Sequence, residues 1–462
     1  MSELIYKNKN AFDALGEEEL ENARLYAEGY KKFLDAAKTE REAVREAITL
    51  AEARGFVPLP EGDGGALAPG SRVYKSVGGK ALFLAVIGET PPRDGINFAG
   101  AHVDSPRLDL KQLPLYEDGE MAFFKTHYYG GIKKYQWVTL PLALHGVAAK
   151  ADGTLVPVNI GEKEDEPVFF VSDLLPHLGR EQSKKTLSEA FTGEQLNILA
   201  GTKPTGGEKN ENRFKTAVLK LLHAKYGIAE EDFLSAELEA VPAGRARDAG
   251  FDSSLILAYG HDDRSCTYAA LKAILDLDGS APPKKTAVCI LTDKEEIGSE
   301  GVTGSQSRIL ESFTARLAGG AEQAARCFES SFCLSADVCN AFDPNFPDVS
   351  EKNNSAQLNH GMGIMKFTGS GGKSGSSDAS AETVAKLRRL FAENGVLWQM
   401  AELGKVDQGG GGTIAKYMAN RGIETIDAGV PVISMHAPWE AASKLDCYMT
   451  YKGIAALYGN EI

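Results

Sequence analysis

Six side chains, His102, Asp262, Glu295, Glu296, Asp337 and His436, stand in five short polar segments, AHVDSP, GHDDRS, DKEEIGS, SADVCN and SMHAPWE, each of which follows an apolar run. Imidazole nitrogens and carboxylate oxygens are the donors that zinc, cobalt and manganese accept, and this set can hold two such ions with one carboxylate to spare. A water shared by two cations loses its proton near neutral pH and becomes a nucleophile, so the set is the equipment of a metal-activated hydrolase. The spare carboxylate is then the group that takes the proton from the attacking water.

Taken singly, each of these residues has a plain structural reading. His102 closes the apolar run GINFAGA, and Asp104, two residues on, points the same way if the strand continues, where it can accept the other imidazole N–H and fix the tautomer. A lone H-x-D is as readily a satisfied histidine at a strand end. Asp262 and Asp263 open a helix after a strand, where a capping aspartate serves equally well; Asp262 is the expected bridge between two ions. Glu295 and Glu296 sit in a turn ahead of Gly298, a place where paired acids are ordinarily solvated. Adjacent residues diverge in direction, however, so one can coordinate a metal while the other faces the water. Asp337 and His436 read alone as a capping acid and a core histidine. What joins them is position: four of the five segments lie at the carboxyl ends of predicted strands, where α/β sheets gather their sites.

The elements that would carry these residues fall into three stretches. Glu17 to Arg54 repeats apolar residues at helical spacing and predicts one or two helices; the strand-like runs RVYKSV, ALFLAVIG and GINFAGAHVD follow. From residue 105 to 253 the pattern changes to short β-like stretches (AFFKTHYY, QWVTLPLALHGVAAK, TLVPVNI, EPVFFV), a polar segment TGGEKNENR and a helical FKTAVLKLLHAKYG. From residue 254 to 462 strands and helices alternate, starting with SLILAYG and ending with strand TIDAGVPVISM and a helix over EAASKLDCYMTYKGIAALYG. The expected fold is α/β: an open, mixed or mostly parallel sheet with helices on both faces, built from residues 1–104 and 254–462, with a β-rich domain of residues 105–253 inserted between the first candidate ligand and the rest.

Composition bounds the partners. A chain of 462 residues with 43% hydrophobic and 25% charged residues is ordinary globular protein, and a formal charge of −14 repels nucleic acid and anionic membrane alike. No apolar run approaches the roughly 20 residues of a bilayer span, and MSELIYKNKNAFDALGEEEL has no leader pattern, so a soluble, cytoplasmic protein is expected. Six cysteines without a C-x-x-C pair predict buried free thiols, Cys289, Cys333 and Cys339 among them, and leave metal binding to nitrogen and oxygen.

In the order His, Asp, Glu-Glu, Asp, His, with HVDSP near the start and SMHAPWE near the end, the chain resembles the dinuclear zinc aminopeptidases of the aspartyl aminopeptidase family over nearly its whole length. The resemblance implies one zinc on His102 and Asp337, a second on Glu296 and His436, Asp262 bridging, Glu295 as general base and Asp104 orienting His102. It further implies a large closed homo-oligomer, a dodecamer, assembled through the inserted domain, with a histidine reaching a neighbour's site; His177 in SDLLPHLGR is the candidate, and a surface or core histidine is the alternative. Substrates in the better-known branch are peptides with a free N-terminal Asp or Glu. The chain departs from that branch at Asp262-Asp263-Arg264, where Asp-Asn is expected, which leaves the preferred N-terminal residue open.

Two glycine-rich segments invite other readings. KFTGSGGKSGSSD lies between a strand and a helix, but Phe367 stands where the phosphate-loop pattern G-x-x-x-x-G-K-[ST] needs its first glycine. A substrate-side loop fits better, with Lys373 either meeting a peptide carboxylate or simply solvated; Gly409 to Gly412 permit a close backbone approach. The competing functional classes are a metal-dependent deacylase on the same scaffold and an inactive metal-binding assembly protein, the latter disfavoured because a structural site needs no free base such as Glu295.

Overall fold

The computed structural model describes residues 4–60, 67–206 and 212–462; residues 207–211 of the expected polar segment and the first three residues of the chain lie outside the described residues. The chain separates into two compact units, one made of Met1–Asp104, Ala246–Met435 and Glu440–Ile462, the other of Ser105–Arg245 with His436–Trp439. The change of unit comes at Arg245 rather than at residue 253 because Arg247–Ala249 is a strand paired with Leu255–Ala258 of the first unit.

In the first unit a nine-stranded sheet runs in the order Val57–Pro58, Arg72–Val77, Ala81–Val86, Thr286–Thr292, Ile96–His102, Phe332–Ser335, Glu424–Gly429, Met362–Met365, Trp398–Met400. The four middle strands, from Thr286–Thr292 to Glu424–Gly429, are mutually parallel, and antiparallel neighbours flank them on both sides. Successive side chains of a strand point to opposite faces, so these near-continuous apolar runs feed two cores. Ile96, Phe98, Val288 and Ile290 pack on one face with Leu310, Phe313 and Phe328 from the helices Ile309–Ala318 and Ala321–Glu329. Ala99, Ala101, Cys289 and Leu291 pack on the other with Tyr30, Val44, Leu271 and Ile454 from the helices Glu17–Ala36, Glu40–Glu52, His261–Leu275 and Lys444–Gly459. The expected open α/β architecture is therefore present, as a mixed sheet.

Three elements differ from expectation. SLILAYG supplies the strand Leu255–Ala258, but to a separate five-stranded sheet with Arg247–Ala249, Glu440–Ser443, Pro431–Ile433 and Cys339–Asn340. TIDAGVPVISM is two strands: a Cβ on Gly429 would lie 1.9 Å from the Asp337 carbonyl oxygen, so glycine lets the first strand pass there, and the chain crosses to the five-stranded sheet at Pro431. The last helix starts at Lys444 rather than Glu440, because Ser443 Oγ accepts the N–H groups of Leu445 and Asp446 as an N-cap while Glu440–Ser443 pairs with Leu255–Ala258.

The second unit is an antiparallel seven-stranded sheet in the order Leu155–Ile160, Leu142–Ala149, Ala236–Pro242, Arg107–Asp118, Met121–Tyr129, Ile198–Gly201, Phe170–Val171, with the helix Arg213–Tyr226. Arg107–Asp118 escaped the sequence reading because its alternation breaks where the register shifts between Leu110 and Leu115. All six cysteines are buried and unpaired. No helix among the described residues is long and apolar enough to cross a membrane.

Candidate metal centre

Strand register brings three of the five polar segments to one edge. His102 stands opposite Thr292, and Ser335 opposite Gly100, so His102, the segment from Asp293 to Glu296, and Asp337 follow one another across the carboxyl ends of parallel strands. The fourth segment opens the buried helix His261–Leu275. Asp262 (φ −84°, ψ 104°) and Asp263 (φ −121°, ψ 35°) are not helical and no side chain caps the helix there, so the capping alternative fails for both. The Asp262–Asp263 peptide is cis.

Both carboxylates turn instead to His102. Its Nδ1 lies 3.2 Å from Asp104 Oδ1 and 3.1 Å from the Asp104 carbonyl oxygen, so the Nδ1–H is donated there. That leaves Nε2 facing Asp262 Oδ1 at 3.1 Å and Asp337 Oδ1 at 3.8 Å. Asp263 Oδ2 accepts the His102 backbone N–H at 3.3 Å. Thr267 Oγ1 donates to the His102 carbonyl at 2.7 Å, and the buried Glu440 accepts the Asp262 N–H at 3.1 Å. Two overlapping sets result: His102, Asp262 and Glu296 offer ligand atoms all within 4.8 Å of one another, and so do His102, Asp263 and Asp337.

The acid pair is set by a tight turn. Lys294 adopts φ 67°, ψ 19°, Glu295–Ile297 forms one 3₁₀ turn, and Gly298 at φ 103° closes it. The N–H of Glu295 reaches Asp104 Oδ1 at 3.1 Å and that of Glu296 reaches Oδ2 at 3.2 Å, so a single carboxylate holds the imidazole and both glutamates. Glu295 belongs to neither ligand set. Burial first, then the nearby Asp337, Asp104 and Asp262, push its carboxyl up to about 8 against the opposing pull of His102.

Chemistry of the donors indicates what fits here. Burial raises the carboxyls of Asp263 and Asp337, and Asp263 Oδ1 meets no hydrogen-bond donor among the described residues. Burial disfavours charge on His102, yet hydrogen bonds to Asp104, Asp262 and Asp337 hold it well above the usual histidine range. So many buried acids around one imidazole repel each other unless cations sit among them, and a cation would take the place of the proton on Nε2. One nitrogen, several carboxylate oxygens and no thiolate suit zinc, cobalt or manganese.

His436, His177 and Lys373 belong to neither ligand set. His436, grouped with the second unit, has φ 65°, and its Nδ1 is 2.8 Å from the Gly131 carbonyl oxygen, which makes Nε2 the lone-pair nitrogen. His177 is exposed on a turn of the second unit. Lys373 pairs with Asp378 at 3.1 Å, and Gly369–Ser370 forms a two-stranded ribbon with Gly410–Gly411, so the two glycine-rich loops bind each other. Ligand atoms of Glu296 thus lie near those of His102 and Asp262, and those of Asp263 near those of His102 and Asp337. Sequence reading weighed Asp263 only as a cap and did not single out Glu440. An acid doublet directly after an apolar strand, and an acid closing SMHAPWE, were the available signals.

Residues 33–458 match the Aminopeptidase I zinc metalloprotease (M18) family. The chain is 48% identical over 466 residues to a probable M18 family aminopeptidase 1 of Clostridium acetobutylicum, covering 99% of this chain and 100% of that one. Its fold superposes on the crystal structure of an M18-family aminopeptidase from Thermotoga maritima with a TM-score of 0.93 at 43% identity, over 99% and 100% of the two chains. The S. cerevisiae mApe1 dodecamer shares the fold more distantly, with a TM-score of 0.76 at 20% identity over 94% and 96%. A metal-binding donor set at the carboxyl edge of the sheet, in a chain matched from end to end by such relatives, has one account: the chain belongs to the aminopeptidase I zinc metalloprotease (M18) family, whose chemistry is metal-dependent aminopeptidase hydrolysis.

Proposed function

We propose that the protein removes N-terminal residues from peptides at a centre of two divalent metal ions, zinc in the first instance, with cobalt or manganese as substitutes. The observation that carries this reading is the convergence of carboxylate oxygens of Asp262, Asp263, Glu296 and Asp337 around His102, more acids than one ion would need, with Asp104 behind the ring. His102, Asp262, Glu296, Asp337 and His436 are the proposed ligands, Asp262 between the ions, with Asp263 added to them. Ions held there would polarise the scissile carbonyl and acidify the water between them. Glu295 would take a proton from the attacking water and pass it to the departing amine, so that the C–N bond breaks as the water oxygen bonds to the carbonyl carbon and stays on the new carboxyl. Asp104 keeps the His102 ring in the coordinating tautomer. The surplus of acids favours the N-terminal ammonium of a substrate.

We further propose a large homo-oligomer, a dodecamer like the yeast relative, in which His177 enters a neighbour's site. Six unpaired cysteines and a charge of −14 support a cytoplasmic location without nucleic-acid or membrane partners. Whether the first residue is Asp, Glu or another is open to a peptide library.

The test compares unblocked with N-acetylated peptides, before and after chelation. Cleavage of the unblocked peptides alone, lost on chelation and restored by zinc, cobalt or manganese, is expected. Full turnover in a metal-free sample sinks the metal reading, and cleavage of the acetylated series favours a deacylase. Glu295→Gln should keep its metal and lose roughly 10²–10⁴-fold in kcat.

A further inference from the structure

We propose that Asp293 is a positioning residue for the reaction: together with Thr303 it fixes the direction in which Glu295 and Glu296 leave the backbone. The inference rests on the reading of that pair as base and ligand. Asp293 is buried, follows the last residue of the strand Thr286–Thr292, and touches none of the proposed ligands through a hydrogen bond in the structure. Between it and the glutamates stands Lys294 at φ 67°, in the left-handed region that residues with side chains rarely occupy. Something must hold that conformation.

The holding contacts are local and consistent. Asp293 Oδ1 accepts the Lys294 N–H at 2.8 Å, and Oδ2 accepts the Thr303 hydroxyl at 2.7 Å. The Asp293 N–H donates to the Thr303 carbonyl at 3.1 Å, and the Lys294 carbonyl accepts the Ser299 N–H at 2.6 Å. Thr303 is itself fixed by its neighbour: a Cβ on Gly304 would lie 2.2 Å from the Ser299 carbonyl oxygen, so the segment from Ser299 to Gly304 is folded tightly on itself behind the turn. In front, Asp104 takes the N–H groups of Glu295 and Glu296 on separate oxygens. The acid pair is thus clamped on two sides, by Asp104 at the ligand side and by Asp293–Thr303 at the rear. Releasing the rear clamp lets the Lys294 peptide rotate, which redirects the base by a fraction of an ångström to an ångström; displacements of that size cost up to about 10²-fold in rate.

The experiment uses the metal-loaded full-length enzyme with an unblocked peptide. Asp293→Ala is expected to lower kcat by about 10–100-fold with KM changed less than about 2-fold and metal content retained. Asp293→Asn, whose amide oxygen still accepts the Lys294 N–H, should recover much of this. Thr303→Val should show a smaller loss that does not add to Asp293→Ala. Lys294→Gly placed on Asp293→Ala should restore turnover, since glycine takes φ 67° unaided; a residue that only stabilises the fold would change the melting temperature without these kinetic responses. Normal kcat in Asp293→Ala overturns the proposal, as does a loss explained by missing metal or one that Lys294→Gly leaves uncorrected. If Asp293→Ala does not fold, Thr303→Val and Asp293→Asn carry the same kcat-against-KM test. Glu295→Gln, run alongside, separates the two readings: if it is fully active the base assignment has failed, and if it is inactive while Asp293→Ala is normal, the positioning role has failed.

Discussion

Asp263 shows at the scale of a single residue how burial changes what a side chain is for. Alone it is an ordinary helix-opening acid, but here it is wholly buried beside Asp337 and the backbone of His102. Removing it takes one of three donors from its set, so Asp263→Ala should weaken metal retention by at least 10–100-fold, read by metal analysis after dialysis against a weak chelator. Full retention would return Asp263 to a purely structural role. The sequence could single out His102, Asp104, Asp262, Glu296 and Asp337 as candidates because each follows an apolar run, and ligand atoms of His102, Asp262, Glu296 and Asp337 do lie near one another. Asp263 was not singled out, because nothing in spacing tells two adjacent acids apart, and Glu440 was not, because the segment SMHAPWE drew notice for its histidine.

At the scale of elements, sheet order was less legible than strand existence. Runs such as KTAVCILTD and FCLSAD announce buried strands, yet which sheet SLILAYG joins depends on Glu440–Ser443, almost two hundred residues away in sequence. The helix Lys444–Gly459 offers a test of how such elements are tied together. Asp446, buried near its start, accepts the N–H groups of Asn359 at 2.8 Å and Gly361 at 2.7 Å, and burial nevertheless pushes its carboxyl up to about 8. Its folded value lies above its unfolded value near 3.8, so between these limits the folded chain holds more protons than the unfolded one. Its contribution is complete below about pH 4 and is lost as pH rises through about 8. Asp446→Asn cannot ionise and has one acceptor where the carboxyl had two. It should therefore be less stable than the parent at pH 5 by about 1–3 kcal/mol, with the gap narrowing by pH 9. Denaturant unfolding at pH 5, 7 and 9 measures this; a gap independent of pH would contradict it.

The whole molecule combines a sheet with helices on two faces and an inserted antiparallel unit, and the proposed assembly belongs at this scale. His177→Phe should leave the oligomer intact by light scattering while lowering turnover about 10-fold or more, if a neighbour's site uses it as a charge-stabilising donor; unchanged kinetics would make it a surface histidine. A charge of −14 makes nucleic acid an unfavourable partner, but no pattern in residues 105–253 announced that the chain returns to that unit near its end. His436–Trp439 does so, and the Gly131 carbonyl there fixes which nitrogen of the His436 ring carries hydrogen. Cutting out residues 105–245 would therefore remove more than a sheet: it would take away the carbonyl acceptor that selects the tautomer of an imidazole encoded almost two hundred residues later.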